Sequence, residues 1–432
     1  MTSADAVQFG PPEAFGPDLS APDLSTVDPL APSRDEPPPR PGPARPGPAG
    51  LNLSTLAPLA PGRDEPQPGT ARGGMVHIVG SGLMGASVGL GLVGRGGIVT
   101  LEDPSPAARA VAVQIGAGRE RRPKDGEPDL VVVAAPPDVT AQVVAEQLGR
   151  YRQAIVTDLA SVKAVILEDL RKTGVDLSRY VGSHPMAGRE KAGPAAATAD
   201  LFLGRPWVIA ATGRTSQAAI DTVRQMAIDL GAHPAYLDAS AHDQAVALVS
   251  HAPQLLSSLT AKALINAEPG ALELAGQGLR DMTRIAASDA NLWATILAGN
   301  GPATARVLRA VREDLDRAIA ALDLGTDNAT LGRALLELTG LIADGNRGVE
   351  QIPGKHGGAK RQFDKVVVMV PDKPGELGRL FQEMGRLGVN LEDLQLEHGA
   401  GQLVGLAEIS VPPGAGAGLA LDLEEQGWRI LR

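Results

Sequence analysis

The sequence predicts an α/β protein: a mostly parallel sheet covered by helices, then an all-helical region, then a small βαββαβ unit. Three observations carry this. Short, nearly continuous apolar runs alternate with helical spacing from Met75 to about Asp238, which is the pattern of strands buried on both faces. After Asp238 the strand pattern stops and apolar residues recur at helical spacing. From Phe363 onward the texture changes again, to the order expected of a split-βαβ, ferredoxin-like unit.

The elements follow in order. Residues 1–73 are rich in Pro, Gly, Ser and Asp, and contain two near-copies, LSTVDPLAPSRDEP and LSTLAPLAPGRDEP. Such a segment cannot bury a core, so a disordered extension with polyproline character is expected. In 74–238 the strands are read at MVHIVG, GGIVTLED, DLVVVAAPP, QAIVTD, YVGSHP, RPWVIAA and AHPAYLD. Residues 239–348 read as helical and 349–362 as a linker. In 363–432, DKVVVMV is a strand, ELGRLFQEMGRLG an amphipathic helix, VNLEDLQLEHG and GQLVGLAEISV a hairpin, GAGLALDLEEQG a helix and WRIL an edge strand.

Composition narrows the function classes. A chain of 432 residues suggests two to four domains. The formal net charge of −10 disfavours general binding to nucleic acid or an anionic membrane. The absence of cysteine excludes disulfides and thiolate chemistry and suits a reducing compartment, hence an expected cytoplasmic location. The first residues lack the basic and apolar regions of a secretory signal.

HIVGSGLMGAS holds Gly80, Gly82 and Gly85 in G-x-G-x-x-G spacing. Gly80 permits the tight turn, Gly82 lets the backbone approach a pyrophosphate, and Gly85 lets helix and strand pack closely. Leu83 and Met84 open a helix whose free N–H groups and positive dipole end face the phosphates. An acidic pair, Glu102 and Asp103, ends the next strand. A carboxylate at Asp103 would bond the adenosine ribose and repel a 2′-phosphate, which favours NAD over NADP; PSP follows it, with no immediate Arg or Lys. This is a Rossmann-type dinucleotide site. The alternative, a bilayer span over Met75–Gly94, is weakened by its glycines and leaves the following strands without a place.

Several pieces then resemble one family. VGSGLMGAS, VTDLASVK, VGSHPMAGREKAG, DLFLGRPWVI, ALVSHAPQLL and GLRDMTRIAASDANLW are similar, in this order, to prephenate and arogenate dehydrogenases of tyrosine biosynthesis, and VPDKPGELGRLFQEMGRLGVNLEDL resembles an ACT regulatory domain. Ala160 stands where the family often has glycine. The resemblance implies NAD-dependent oxidative decarboxylation of prephenate, with arogenate as the rival substrate, a homodimer joined through the helical region, and an amino-acid effector, tyrosine, at the ACT unit. It implies that His184, which follows a short strand, accepts the hydroxyl proton. It also implies that Arg284 clamps a substrate carboxylate through two parallel N–H bonds. Asp281, three residues earlier, would orient Arg284 if the segment is helical. Ser161 either contacts the substrate or His184, or caps the helix starting at VKAVILEDL. By the same resemblance Glu190 is an orienting carboxylate, His251 lines the substrate pocket and Trp293 walls it. Gly375, Gly388 and Asn390 would surround the effector. His242 and His251 are nine residues apart, which on one regular helix points them to opposite faces, so they are not read as a metal pair; by the resemblance His242 is structural. No cluster has metal-ligand spacing. A β-hydroxyacid dehydrogenase would need a catalytic Lys on a helix, and a cofactor-sensing module would not need His184 with Arg284.

Overall fold

The computed structural model describes residues 74–188, 192–324, 328–353, 363–398 and 404–431. The N-terminal extension, most of the linker and Glu190 lie outside the described residues.

The first region runs β1 Met75–Val79, α1 Leu83–Val93, β2 Ile98–Glu102, α2 Pro106–Gln114, β3 Arg119–Glu120, β4 Leu130–Val133, α3 Pro137–Arg150, β5 Ile155–Asp158, α4 Ala164–Thr173, β6 Tyr180–Pro185, β7 Pro206–Ala210, α5 Gln217–Asp229 and β8 His233–Tyr236. The sheet order is β3-β2-β1-β4-β5-β6-β7-β8. Strands β1 to β6 are parallel and β7 reverses the direction. The seven expected strands are present; β3, two charged residues at the sheet edge, carries no apolar run that would announce it.

Alternation explains the near-continuous apolar strands. Along β4, Leu130 and Val132 enter one core while Val131 and Val133 enter the other. Each such fully buried side chain contributes roughly 1.5–3 kcal/mol. Helix starts carry their own signals: Ser105 and Ser216 cap α2 and α5 by accepting from backbone N–H groups, with Pro106 at the first position of α2. Gly174, at φ 73°, ends α4 in the left-handed conformation.

The helical region comprises α6 Ala239–Val246, a π-helical turn Ala247–His251, α7 Ala252–Ala263, α8 Pro269–Leu272, α9 Gln277–Thr283, α10 Ala290–Gly299, α11 Gly301–Leu322 and α12 Asn328–Glu350. Asp238 caps α6 through Ala241 N–H at 2.8 Å. Pro253 lies in the first turn of α7. It has no N–H to offer the Val249 carbonyl and its ring crowds that carbonyl, which gives a physical cause for the widened turn before it.

The last region is β9 Asp364–Pro371, α13 Glu376–Arg386, β10 Asp393–His398, β11 Val404–Val411, α14 Gly416–Glu425 and β12 Arg429–Leu431. Its sheet is antiparallel, in the order β10-β11-β9-β12, and Val368, Leu380, Ile409 and Leu423 lie in its core. No described helix is long and apolar enough to cross a membrane; Met75–Gly94 is divided between β1, a turn and the 11-residue α1.

Candidate active site

The glycine turn is built almost entirely from backbone. Gly80 sits at φ 104°, a conformation that favours glycine, and a Cβ there would run into the Ala134 carbonyl. A Cβ on Gly85 would strike the Gly80 carbonyl oxygen. Gly82 differs: no protein atom comes within 4 Å of where its Cβ would lie. That open space lies at the N-cap of α1, which has no side-chain cap, so the N–H groups of the first turn are left for a phosphate. Leu83 and Met84 pack their side chains against the core and contribute backbone to this end. Asp103 accepts from Ser81 N–H at 2.5 Å and Ser105 N–H at 2.7 Å, which fixes its carboxylate beside the turn. These residues fit NAD: open space at the turn, free N–H groups and a ribose-side carboxylate. Arg109 on α2 stands near Asp103: it donates to the Asp103 carbonyl oxygen at 3.0 Å and to Glu120 at 2.9 Å.

His184 lies inside β6, the strand read at YVGSHP, and pairs with Val208 of β7, so it does not follow the strand but belongs to it. Because β1, β4, β5 and β6 are parallel neighbours, Gly80 and His184 share one sheet edge. Three strand spacings separate them, about 14 Å. The His184 ring is half-buried. Burial, reinforced by His242, Lys163 and His251 nearby, holds its pKa well below the usual 6.5, so the ring is neutral at physiological pH.

His242 and His251 do not point apart. His242 Nε2 lies 2.9 Å from His184 Nδ1, and His242 Nδ1 lies 2.8 Å from Asp243 Oδ1. His251 Nδ1 meets Asn300 Nδ2 at 3.0 Å, and the same Asn300 nitrogen donates to the Asp243 carbonyl at 2.7 Å. The π turn between the two histidines changes their phase, so the opposite-faces expectation, which assumed one regular helix, is corrected. His242 touches His184 directly. Burial lowers the pKa of both, His251 to about 4.

The floor of this cluster is polar and closed. Buried Asp158 accepts from Ala160 N–H at 2.9 Å, from Tyr180 Oη at 2.7 Å and from the buried Lys163 ammonium. Burial lowers the Lys163 pKa against the opposing pull of Asp158. Ser161 is half-buried in the turn between β5 and α4. It is not the cap of α4, whose N-cap position is Lys163. Instead Asp243, from α6, accepts from Lys163 N–H at 2.8 Å and Ala164 N–H at 2.9 Å.

Trp293 meets His251 edge-on, with ring centroids 6.2 Å apart. It also lines a cleft of about 240 Å³ with Gln254, Leu255, Ser258, Ala286 and Ser288. Arg284 is exposed, in a 3-10 turn just after α9. Asp281 accepts from Gln277, one turn earlier on α9, at 2.8 Å. In the C-terminal unit, Gly375 and Gly388 have φ of 91° and 66° with open space beside them, while the Asn390 amide donates to Glu392 at 2.8 Å.

A glycine turn with a ribose-side carboxylate and a neutral histidine at the same edge define a nucleotide-dependent dehydrogenase of Rossmann type. Comparison with known proteins makes this particular. Residues 89–236 match the family described as "Prephenate dehydrogenase, nucleotide-binding domain", and residues 238–336 match "Prephenate dehydrogenase, dimerization domain". A protein of Streptomyces niveus named "Probable prephenate dehydrogenase NovF" is 33% identical over 354 residues, covering 81% of this chain and 98% of that protein. The solved structure of prephenate dehydrogenase from A. aeolicus with hydroxyphenyl propionate and NAD+ has a TM-score of 0.56 at 25% identity, covering 64% of this chain and 98% of that one. Arogenate dehydrogenase of Synechocystis gives 0.52, also at 25% identity, covering 63% and 99%. The chain belongs to the prephenate dehydrogenase family.

Proposed function

We propose that this chain converts prephenate to 4-hydroxyphenylpyruvate in tyrosine biosynthesis, using NAD. The observation that carries the reading is His184: neutral, held at Nδ1, and placed on the sheet edge that bears the glycine turn. When bound, NAD supplies the hydride acceptor. His184 Nε2 takes the proton of the ring hydroxyl as that carbon is oxidised, and returns it to the same oxygen when loss of the ring carboxylate as carbon dioxide makes the phenol. Aromatisation drives the step forward. Arg284 and His251 hold the substrate's carboxylates, Trp293 walls the ring, and Ser161 contacts the hydroxyl. Asp281 and Glu190 support the substrate side. NAD is preferred because the Asp103 carboxylate repels a 2′-phosphate.

The working form is a homodimer in the cytoplasm. The match to a dimerisation domain supports the homodimer, as do exposed apolar residues such as Leu315, Ile319, Leu322, Leu335, Leu336 and Ile342 on α11 and α12. The domains run 74–238, 239–348 and 363–432. The last is an ACT unit of ferredoxin-like topology, and it binds tyrosine near Gly375, Gly388 and Asn390. The four-stranded sheet and two helices support this assignment. Tyrosine inhibition measured on the full chain and on one ending at Gly354 tests it: equal inhibition of both would mean simple competition at the active site. A second reading, arogenate as substrate, is favoured by the Synechocystis likeness. NAD reduction with prephenate and arogenate side by side decides between them, and no turnover of either overturns the proposal.

A further inference from the structure

The hydrogen-bond network around Asp243 does more than pack the two regions together. We infer that His242, Asp243 and Asn300 are positioning residues that set opposite tautomers on the two site histidines, making His184 an acceptor and His251 a donor at Nε2. This rests on the reading of His184 as the base.

The first leg starts at Asp243. Two backbone N–H groups, of Lys163 and Ala164, fix its carboxylate. The carboxylate accepts, so His242 Nδ1, at 2.8 Å, is the donor. His242 is fully buried and has its pKa lowered by that burial, so it carries one proton and Nε2 is a lone pair. Among the described residues, the atom facing that lone pair is His184 Nδ1 at 2.9 Å, so Nδ1 of His184 carries the proton. The lone pair of neutral His184 then lies on Nε2, the nitrogen left for a substrate hydroxyl.

The second leg starts at the carbonyl of the same residue. A carbonyl only accepts, so the atom of Asn300 facing it at 2.7 Å is the amide nitrogen. That nitrogen has a second hydrogen, directed at His251 Nδ1 at 3.0 Å. His251 Nδ1 is therefore the acceptor and its proton sits on Nε2. A donor there suits a substrate carboxylate, whereas an acceptor would repel it. The π turn at Ala247–His251 is what lets His242 and His251, from consecutive helices, serve one site.

Two measurements test this on the full chain. In the first, His242→Leu and His242→Gln are assayed beside His184→Asn. The Gln side-chain oxygen can accept from His184 Nδ1–H; Leu cannot. We expect His242→Leu to lower kcat with prephenate at least tenfold with little change in the KM for NAD, and His242→Gln to restore most of it. Equal kcat for the Leu and Gln variants, whether both normal or both impaired, overturns the inference. If His184→Asn itself keeps normal turnover, the base assignment fails instead, which separates the two. The second measurement needs no substitution. Nitrogen NMR of the histidine-labelled protein should show His184 protonated at Nδ1 and His251 at Nε2. A His184 signal with the proton on Nε2 overturns the inference even if the Leu variant fails to fold.

Discussion

The glycine turn and the histidine cluster share one sheet edge and are made in opposite ways. The turn is local: Gly80 to Gly85 are consecutive, and their backbone does most of the work. The cluster is assembled from afar: His184 and His242 are 58 residues apart, His251 and Asn300 are 49 apart, and Asp243 reaches 80 residues back to Lys163. A site made of backbone can be read from spacing, because the spacing is the site. A site made of side chains depends on where the fold sends each element.

That difference accounts for what the sequence revealed. The strand runs, Gly80, Gly82, Gly85 and Asp103 were legible, since apolar alternation and glycine spacing act through local geometry. His184 was legible through resemblance, and the strand read at YVGSHP coincides with β6; what its sequence blurred was whether the histidine lies in that strand or just after it, because a proline follows it. The role of His242 was hidden by the assumption of a regular helix. Pro253, in plain view in SHAPQLL, was the available signal for the widened turn. Asn300 had no local signal at all: it bonds two partners on earlier helices.

The largest expected effect is at the turn. Gly85→Val drives side-chain atoms into the Gly80 carbonyl and should abolish detectable NAD binding in a titration. Retained affinity would mean that the turn is not the phosphate site. Asp103→Ser should act more narrowly. A hydrogen bond to a charged group contributes about 1.5–3 kcal/mol, so NAD should weaken roughly tenfold or more. NADP should meanwhile gain, helped by Arg109 close by. Equal use of both cofactors by the unmodified enzyme would contradict the role given to Asp103.

The smallest effect is on stability, and it belongs to the histidine end. His184, His242 and His251, with buried His77, all have pKa values lowered in the fold. Below about 6.5 the unfolded chain binds more protons than the folded one. The stability these neutral rings contribute is therefore full above pH 6.5 and is lost as pH falls toward their folded values, about 4 for His251. Tm should drop by several degrees between pH 7 and pH 5, at about 1.4 kcal/mol per pKa unit of displacement. A flat or rising Tm over that window would show the rings to be protonated in the fold.

The two ends should also separate in function, and one variant shows this most directly. His184→Asn keeps the glycine turn and removes the proton acceptor. NAD affinity by titration and kcat with prephenate are measured on the same preparation. The account predicts unchanged NAD affinity with kcat lowered by about 10²–10⁴-fold. Normal turnover would contradict it.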